Sequence, residues 1–309
     1  MNNFVTYCLN NPTAQFLFFF IITILFFFIL LQFVDPEVIL RTLSSANPLY
    51  LVLCILIMFS YPTSIAWRWK FLLKRLDYDI TFWESLCVVM GTWPIMSVTP
   101  LKSGDLIKGI YVRDKIPVAV ATGSIITEKI LDLSSLILFS IFGSLILSQW
   151  YILLIASIVV VLISGILMVV RYGNIPFADR FKTKYDSLFL SVKVLLAEPG
   201  SFAFILIFSL VKWLLVFWQT DLCFKALGVD IPFSFMIAAL PIAIFIGLIP
   251  ISISGMGTRD AALIYLFSGF TSPGICLSVG ILYSIFGYWL LSLIGLPFFR
   301  HIWRKGFTS

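Results

Sequence analysis

Four ionisable residues interrupt the long apolar runs of this sequence: Glu128, Lys129, Asp132 and Lys212. An ionisable side chain at the centre of a membrane helix costs about 2.5–3.5 kcal/mol on insertion scales, so such residues must pair, face the interior or line water. Glu128 and Asp132 are four residues apart and share one helix face, from which Lys129 points away. We expect Lys212 and Arg259 to neutralise them. The alternative is a structural ion-pair network that only fixes helix register.

Two further segments, 98–105 and 250–260, each break a long apolar run with Pro, Gly and charged residues. Lipid cannot satisfy the backbone groups that such a break frees, so the break must face protein or a wet cavity. A pair of interrupted segments in separate halves of a membrane chain indicates a transport site. A pair of ordinary interfacial loops is the alternative.

The breaks could also bind a phosphate. We expect short helices over 106–112 and 261–267, and a helix that starts just after Gly104 or Gly257 would present free N–H groups and a positive dipole end. The predicted lipid-phosphate site consists of Lys102, Gly104, Lys108, Gly255, Gly257 and Arg259. The predicted intramembrane charge network consists of Asp105, Glu128, Lys129, Asp132, Lys212 and Asp260. The sequence has no Walker-type motif, so a nucleotide phosphate is not indicated.

The sequence argues against metal and nucleophile chemistry. Its five cysteines, at 8, 54, 87, 223 and 276, show no metal-ligand or redox spacing. The single histidine, His301, lies in the basic tail. We therefore expect no catalytic residues, no metal and no cofactor. The charges are not arranged for nucleic-acid binding either.

Three segments carry a resemblance to the transmembrane region of lysylphosphatidylglycerol synthases and their stand-alone relatives, the flippase-like domain family. They are 100–108 (PLKSGDLIK), 128–133 (EKILDL) and 255–262 (GMGTRDAA). Lys108 and Lys129 stand where the family often has Arg, and Ser254 where it often has Gly. Lysine keeps the charge but loses the bidentate phosphate contacts of arginine, which bears on headgroup preference. The resemblance implies translocation of lipids or handling of lipid-linked glycans.

Composition sets the fold class. Hydrophobic residues make up 61% of the 309 residues and charged residues only 12%, whereas soluble domains are about 25% charged. We predict an all-α polytopic membrane protein with about seven or eight transmembrane helices. Broken or re-entrant segments are expected near 82–115 and 250–270, and their likeness suggests an internal repeat. The first 15 residues lack the features of a signal peptide, so we expect the run 16–34 to be a retained helix.

The chain is predicted to form one membrane domain with two halves, about 1–170 and 201–309. A basic amphipathic helix at about 175–198 would link them, lying on the membrane surface or packed on the bundle. Basic clusters at 68–75, 171–184 and 300–305 flank apolar runs. The positive-inside rule therefore predicts a cytoplasmic (inner) membrane protein with both termini in the cytoplasm.

Three functions remain open at this point. The first is a flippase-like transporter of an anionic phospholipid or a polyprenyl-phosphate-linked sugar. The second is a non-catalytic membrane subunit that positions or regulates an enzyme of envelope lipid or glycan synthesis. The third is an integral-membrane glycosyltransferase, suggested only by the acidic pattern at 77–79. Because the chain ends at Ser309, shortly after the last predicted span, we do not expect aminoacyl transfer.

Overall fold

The computed structural model describes residues 20–307, except 22, 26, 27, 30, 33, 147, 149, 250 and nearly all of 151–181, of which only 154, 157, 158 and 165 are described. The side chains at 100, 101, 146, 182–188 and 301–307 are also outside the description. Cys8, the predicted run 151–170 and the first part of the predicted linker therefore lie outside the described residues, as does part of the run 16–34.

The described residues are mostly helical, and no strand occurs among them. The helices of the first part are α1 (Pro36–Ser44), α2 (Pro48–Met58), α3 (Ser60–Lys74), α4 (Phe82–Val98), a 3₁₀ helix (Pro100–Ile107), α5 (Lys108–Tyr111) and α6 (Val118–Ile146). Those that follow are α7 (Lys182–Ala197), α8 (Pro199–Ala226), α9 (Phe233–Leu248), a second 3₁₀ helix (Ile253–Gly255), α10 (Thr258–Leu266), α11 (Pro273–Ser284), a π-helical turn (Ile285–Trp289) and α12 (Leu290–Phe307).

Three helical stretches among the described residues are long and apolar enough to cross a membrane: Pro48–Lys74, Pro199–Ala226 and Pro273–Arg300. Each begins with proline at the first helical position, where its missing N–H costs nothing. Phe82–Val98 and Phe233–Leu248 are shorter apolar helices. The prediction of an all-α polytopic membrane protein is confirmed.

The first break reverses the direction of the chain. After α4 ends, the 3₁₀ helix at Pro100–Ile107 folds back along it. The N–H of Gly104 donates to Thr99 Oγ1 at 2.9 Å. A Cβ atom at Gly104 would lie 2.7 Å from the Met96 backbone nitrogen, so only glycine allows this approach.

The stretch expected to be helical over 106–112 is helical as far as Tyr111, but the helical structure does not begin just after Gly104. The 3₁₀ helix starts four residues earlier at Pro100, and the α-helical turn that follows it spans only Lys108–Tyr111. The physical reason is local: Thr99 ties down the Gly104 N–H, and Gly104 packs on α4, so this amide is not free for a phosphate.

The second break has the predicted form. Chain direction changes at Ser254, Gly255 and Gly257, whose φ angles are +53°, +74° and +87°. Helix α10 then starts at Thr258, directly after Gly257. A Cβ atom at Gly255 would lie 2.6 Å from the Gly247 carbonyl oxygen, so close packing on α9 also requires glycine here.

The two breaks meet in the interior. Ser254 Oγ donates to the Ser97 carbonyl oxygen at 2.6 Å. Helix α12 lies along α4, and Ser292 Oγ bonds to Ser97 Oγ at 2.7 Å. Elements from the early and late parts of the chain thus hold each other at the point where both are broken.

The described part of the predicted linker, α7, packs on the helix bundle. Its residues Val192 and Leu195 are buried, and Leu195 shares an apolar cluster with Leu72, Leu131 and Ile205. The sequence left two interpretations open, a helix on the membrane surface or a helix packed on the bundle, and these residues agree with the second.

Candidate functional site: a charged cavity inside the helix bundle

A cavity of about 670 Å³ lies between α3, α4, α6, α8, α9 and the π-helical turn. One part of its wall is charged. Five basic side chains and three acidic ones line it, which leaves an excess of two positive charges: Arg68, Lys102, Lys108, Lys129 and Lys212 against Asp105, Glu128 and Asp132. The remaining wall is largely apolar and aromatic, and includes Trp93, Leu136, Trp213, Val216 and Phe245.

Seven of these eight residues form one chain of alternating charge, which we call the charge chain. Its order is Lys212, Asp132, Arg68, Glu128, Lys108, Asp105, Lys129. Lysine stands at both ends, so the charge chain carries one net positive charge. It ties together α8, α6, α3 and the first 3₁₀ helix.

Arg68 is the centre of the charge chain. Its Nε lies 3.0 Å from Glu128 Oε1, and its Nη1 lies 2.6 Å from both Asp132 Oδ1 and Ser209 Oγ. One guanidinium thus connects α3 with α6 and α8. Because a guanidinium presents several donors in fixed geometry, it can satisfy two carboxylates and a hydroxyl at once.

The two ends of the charge chain differ in how they are held. Lys212 Nζ lies 2.7 Å from Asp132 Oδ1, the same oxygen that Arg68 contacts. Two cations therefore share one carboxylate oxygen. Because Arg68 already pairs with Asp132, the positive charge of Lys212 is in excess there. At the other end, Lys108 and Lys129 take one oxygen each of Asp105, at 2.6 Å and 2.5 Å.

Lys102 stands apart from the charge chain. No carboxylate lies within 4 Å of it among the described residues, and its ammonium lies 4.9 Å from the ring centre of Tyr288. Its backbone has φ +55°, a left-handed conformation that is uncommon for a residue with a side chain. Such strain persists where the surrounding structure imposes it, and it clusters at functional sites.

Arg259 occupies a small side chamber of about 20 Å³, which it shares with Lys102, Tyr283 and Tyr288. Its Nε and Nη2 lie 3.0 Å and 2.6 Å from Asp260 Oδ1, and Nη2 also donates to the Gly280 carbonyl oxygen at 2.9 Å. The guanidinium stacks over Tyr283 at 4.1 Å, and its Nη1 has no hydrogen-bond partner within the described part of the chain.

The structure therefore corrects the expected pairing of Arg259. Glu128 and Asp132 are neutralised by Arg68, Lys108 and Lys212, whereas Arg259 pairs with its own neighbour Asp260. The second Asp260 oxygen accepts the Gly257 N–H at 3.0 Å, so the start of α10 is already capped. Arg259 also packs on Gly247, where a Cβ atom would lie 2.8 Å from Arg259 Cβ.

The sequence missed Arg68 as a site residue. It belongs to a basic cluster that was assigned to the cytoplasmic flank, yet its side chain is only 3% exposed. The available signal was position: Arg68 precedes the end of α3 by nearly two turns, whereas Lys74 and Arg75 lie at its end. Lys129, expected to point elsewhere, lines the cavity.

The remaining predicted residues have these places. Lys102 and Lys108 line the cavity, while Gly104, Gly255 and Gly257 are absent from its wall and act in backbone packing and turning. The acidic pattern at 77–79 forms an exposed turn beyond α3, outside the cavity wall. Among the described residues no group of acidic, cysteine and histidine side chains could hold a metal ion.

The fold and cavity define a class: a helical, multi-pass membrane protein with a charged interior. The sequence profile of the family described as "Lysylphosphatidylglycerol synthase TM region" matches residues 15–295, and the chain belongs to this family. The expected resemblance is confirmed.

Similar proteins carry the name UPF0104 membrane protein. MJ1595 of Methanocaldococcus jannaschii is 24% identical over 300 residues, covering 86% of this chain and 88% of the relative. A relative from Archaeoglobus fulgidus is 24% identical over 285 residues, covering 82% and 87%. A third, from Methanothermobacter thermautotrophicus, is 22% identical over 307 residues, covering 86% and 90%.

The pairing of Arg259 predicts a specific pattern of rescue. Arg259→Met keeps an apolar stem but leaves the fully buried Asp260 unpaired, and should lower the free energy of unfolding by about 3–5 kcal/mol. Adding Asp260→Asn removes the stranded charge and should recover part of that loss. Thermal unfolding of the purified single and double variants measures both effects.

The matched control adds Glu128→Gln to Arg259→Met instead. Because Glu128 bonds to Arg68 and Lys108, this second change should deepen the loss. Recovery by Glu128→Gln as large as that by Asp260→Asn would contradict the pairing.

Proposed function

We propose that the protein is a flippase-like transporter that moves an anionic phospholipid, or a polyprenyl-phosphate-linked sugar, between the membrane leaflets. The observation that carries this proposal is the 670 Å³ cavity, which joins an excess of two positive charges to a largely apolar wall. A ligand that matches both features has an anionic head and an apolar tail.

The hydrogen-bonding groups around the cavity support an anion. Each carboxylate on its wall accepts from at least one cation within 3.0 Å. The buried atoms of its wall and side chamber that lack partners include two donors, Trp213 Nε1 and Arg259 Nη1. Buried donors without partners favour a ligand that brings acceptors, such as phosphate oxygens.

Lys102 and Lys212 are the proposed phosphate ligands. Lys102 has no carboxylate partner among the described residues, and Lys212 shares a carboxylate oxygen that Arg68 already neutralises. Both can turn to a phosphate without leaving a buried acid unpaired. Arg68, Lys108 and Lys129 are instead engaged in holding the charge chain, and we assign them a positioning role.

We assign the conformational change of transport to the two breaks. They come from opposite parts of the sequence, touch each other through Ser97 and Ser254, and lie beside the side chamber that contains Arg259. Irregular backbone at membrane depth is tolerated where it is buried in protein or lines a cavity, and it is typical of transporters that alternate access to a central site.

The transport prediction uses purified protein in liposomes that contain fluorescent phosphatidylglycerol. Wild type should move the lipid between leaflets, and Lys102→Gln or Lys212→Gln should slow it about tenfold or more, because each removes a charge-assisted hydrogen bond. The transport rate is measured as the change with time in the fraction of fluorescent lipid that an impermeant quencher can reach. Lys115→Gln is the control, since Lys115 is exposed and pairs with Glu84.

Unfolding temperatures of all variants separate lost transport from lost folding. Equal rates for wild type, both cavity variants and empty liposomes would contradict the proposal for this lipid, and the same assay with a polyprenyl-phosphate-linked sugar tests the other substrate. Binding of both amphiphiles without transport would favour the alternative in which the protein positions a partner enzyme.

The proposal includes a cytoplasmic (inner) membrane location with both termini in the cytoplasm. Lys74 and Arg75 are exposed at one end of the stretch Pro48–Lys74. Its other end lies beside the end of α8, because the Asn47 N–H donates to the Ala226 carbonyl oxygen at 2.8 Å. The basic end is the one that stays inside.

An impermeant maleimide applied to intact cells tests this orientation on variants without exposed native cysteines. Asp230→Cys, beyond the end of α8, should be labelled, whereas Lys74→Cys should be labelled only after the membrane is permeabilised. The reverse pattern would overturn the orientation.

A further inference from the structure

A second site lies on the outer surface of α8. It is a groove of about 490 Å³, which we call the lateral groove, and it shares no residue with the central cavity. Its lining residues follow one face of α8 and end at α9: Val211, Leu214, Leu215, Trp218, Asp221, Lys225 and Phe233. Val211, Trp218 and Phe233 are exposed on the outside of the bundle, where the surrounding medium is lipid.

The polar end of the lateral groove contains a buried carboxylate oxygen that lacks a hydrogen-bond partner within the described part of the chain. Asp221 is only 3% exposed, and its Oδ2 lies 3.0 Å from Lys225 Nζ. Its Oδ1 is buried and has no hydrogen-bond partner among the described residues. A buried carboxylate oxygen without a donor is costly, and more so in a membrane.

The polar end of the lateral groove also carries an excess of negative charge. Asp221 and Asp230 both lie within 4 Å of Lys225, so two acids share one base and one negative charge is left over. The central cavity has the opposite excess. These two features favour a cation at this end, and Oδ1 can accept a hydrogen bond from a cation that carries an N–H group.

The apolar part of the lateral groove fits an acyl chain. From Asp221 the stripe runs back to Val211, which is about 15 Å along a helix and matches half the thickness of the hydrocarbon core. Asp221 lies five residues before the end of α8, so it belongs to the last turns of this membrane-length helix.

We infer that the lateral groove binds a phospholipid with a primary ammonium headgroup. The ammonium donates to Asp221 Oδ1, the phosphate lies near the half-exposed Lys225, and one acyl chain follows the stripe to Val211. A quaternary ammonium headgroup carries the same charge but no N–H, so it cannot satisfy Asp221. This site is independent of the proposed transport substrate.

Native mass spectrometry of the purified protein tests this inference with phosphatidylethanolamine and phosphatidylcholine of identical acyl chains. Wild type should bind phosphatidylethanolamine more tightly. Asp221→Asn keeps the shape but removes the charge, and should weaken phosphatidylethanolamine binding about tenfold or more while leaving phosphatidylcholine unaffected. The control is Glu37→Gln, because Glu37 is exposed, lies outside the lateral groove and loses the same single negative charge.

A second variant tests the groove without altering its charge. Leu214→Trp fills the stripe from the lipid-exposed side and should also weaken phosphatidylethanolamine binding, whereas Leu293→Trp, the same change at an exposed leucine of α12 outside the lateral groove, should not. Equal binding of the two lipids by wild type, or unchanged binding by Asp221→Asn, would overturn the inference. Competition by free ethanolamine as effective as that by the lipid would overturn it too, by showing that an ion alone fills the site.

Discussion

In a membrane interior an ionised side chain must pair, face the protein interior or line water, and this constraint shapes the centre of the protein. Arg68 meets it for Glu128 and Asp132 together, and adds a hydrogen bond to Ser209. Since Arg68 and these partners lie on three helices, separating α3 from α6 would leave unpaired charges in a low-dielectric interior, and separating α3 from α8 would break a buried hydrogen bond. The position of α3, α6 and α8 around the cavity follows from these costs.

The charge chain also explains why the cavity can bind an anion and remain stable when empty. Its three acids are each flanked by bases, so the folded state has no stranded carboxylate there. The positive excess falls on residues at the edge of the arrangement, Lys212 and the separate Lys102. An arrangement of this kind separates two tasks: the inner pairs hold the helices, and the outer cations are available to a ligand.

Sequence patterns predicted the helices well, because solid apolar runs of about twenty residues have one stable outcome in lipid. They also predicted that Glu128 and Asp132 share a face, since a spacing of four determines that in any helix. They failed where the answer depends on tertiary packing. Arg68 is an interior residue because α3 continues to Lys74, and the side chain of Arg259 is held by Gly280 and Ser284 of α11, which are distant in sequence.

For the glycines, too, the sequence predicts that a residue is important, whereas its role depends on tertiary packing. Sequence alone indicated that Gly104 and Gly257 matter and placed both in the predicted phosphate site, but left backbone geometry and ligand approach open as the reason for each. In the structure, Gly104 packs closely on α4, and Gly257 forms a backbone turn with φ +87°. A break in an apolar run predicts that glycine is needed; whether the need is packing, turning or ligand approach is set by neighbours that are distant in sequence.

The central claim is that the cavity holds the phosphate of an anionic amphiphile between Lys102 and Lys212. A cryo-electron microscopy structure in nanodiscs rich in phosphatidylglycerol tests it most directly, with the Lys102→Gln, Lys212→Gln double variant as its matched reference. The account predicts headgroup density within hydrogen-bond distance of both lysines in the wild type, with an acyl chain along Trp213 and Phe245, and loss of that density in the variant. A wild-type cavity that contains only water under these conditions, or lipid density that persists unchanged in the variant, would contradict it.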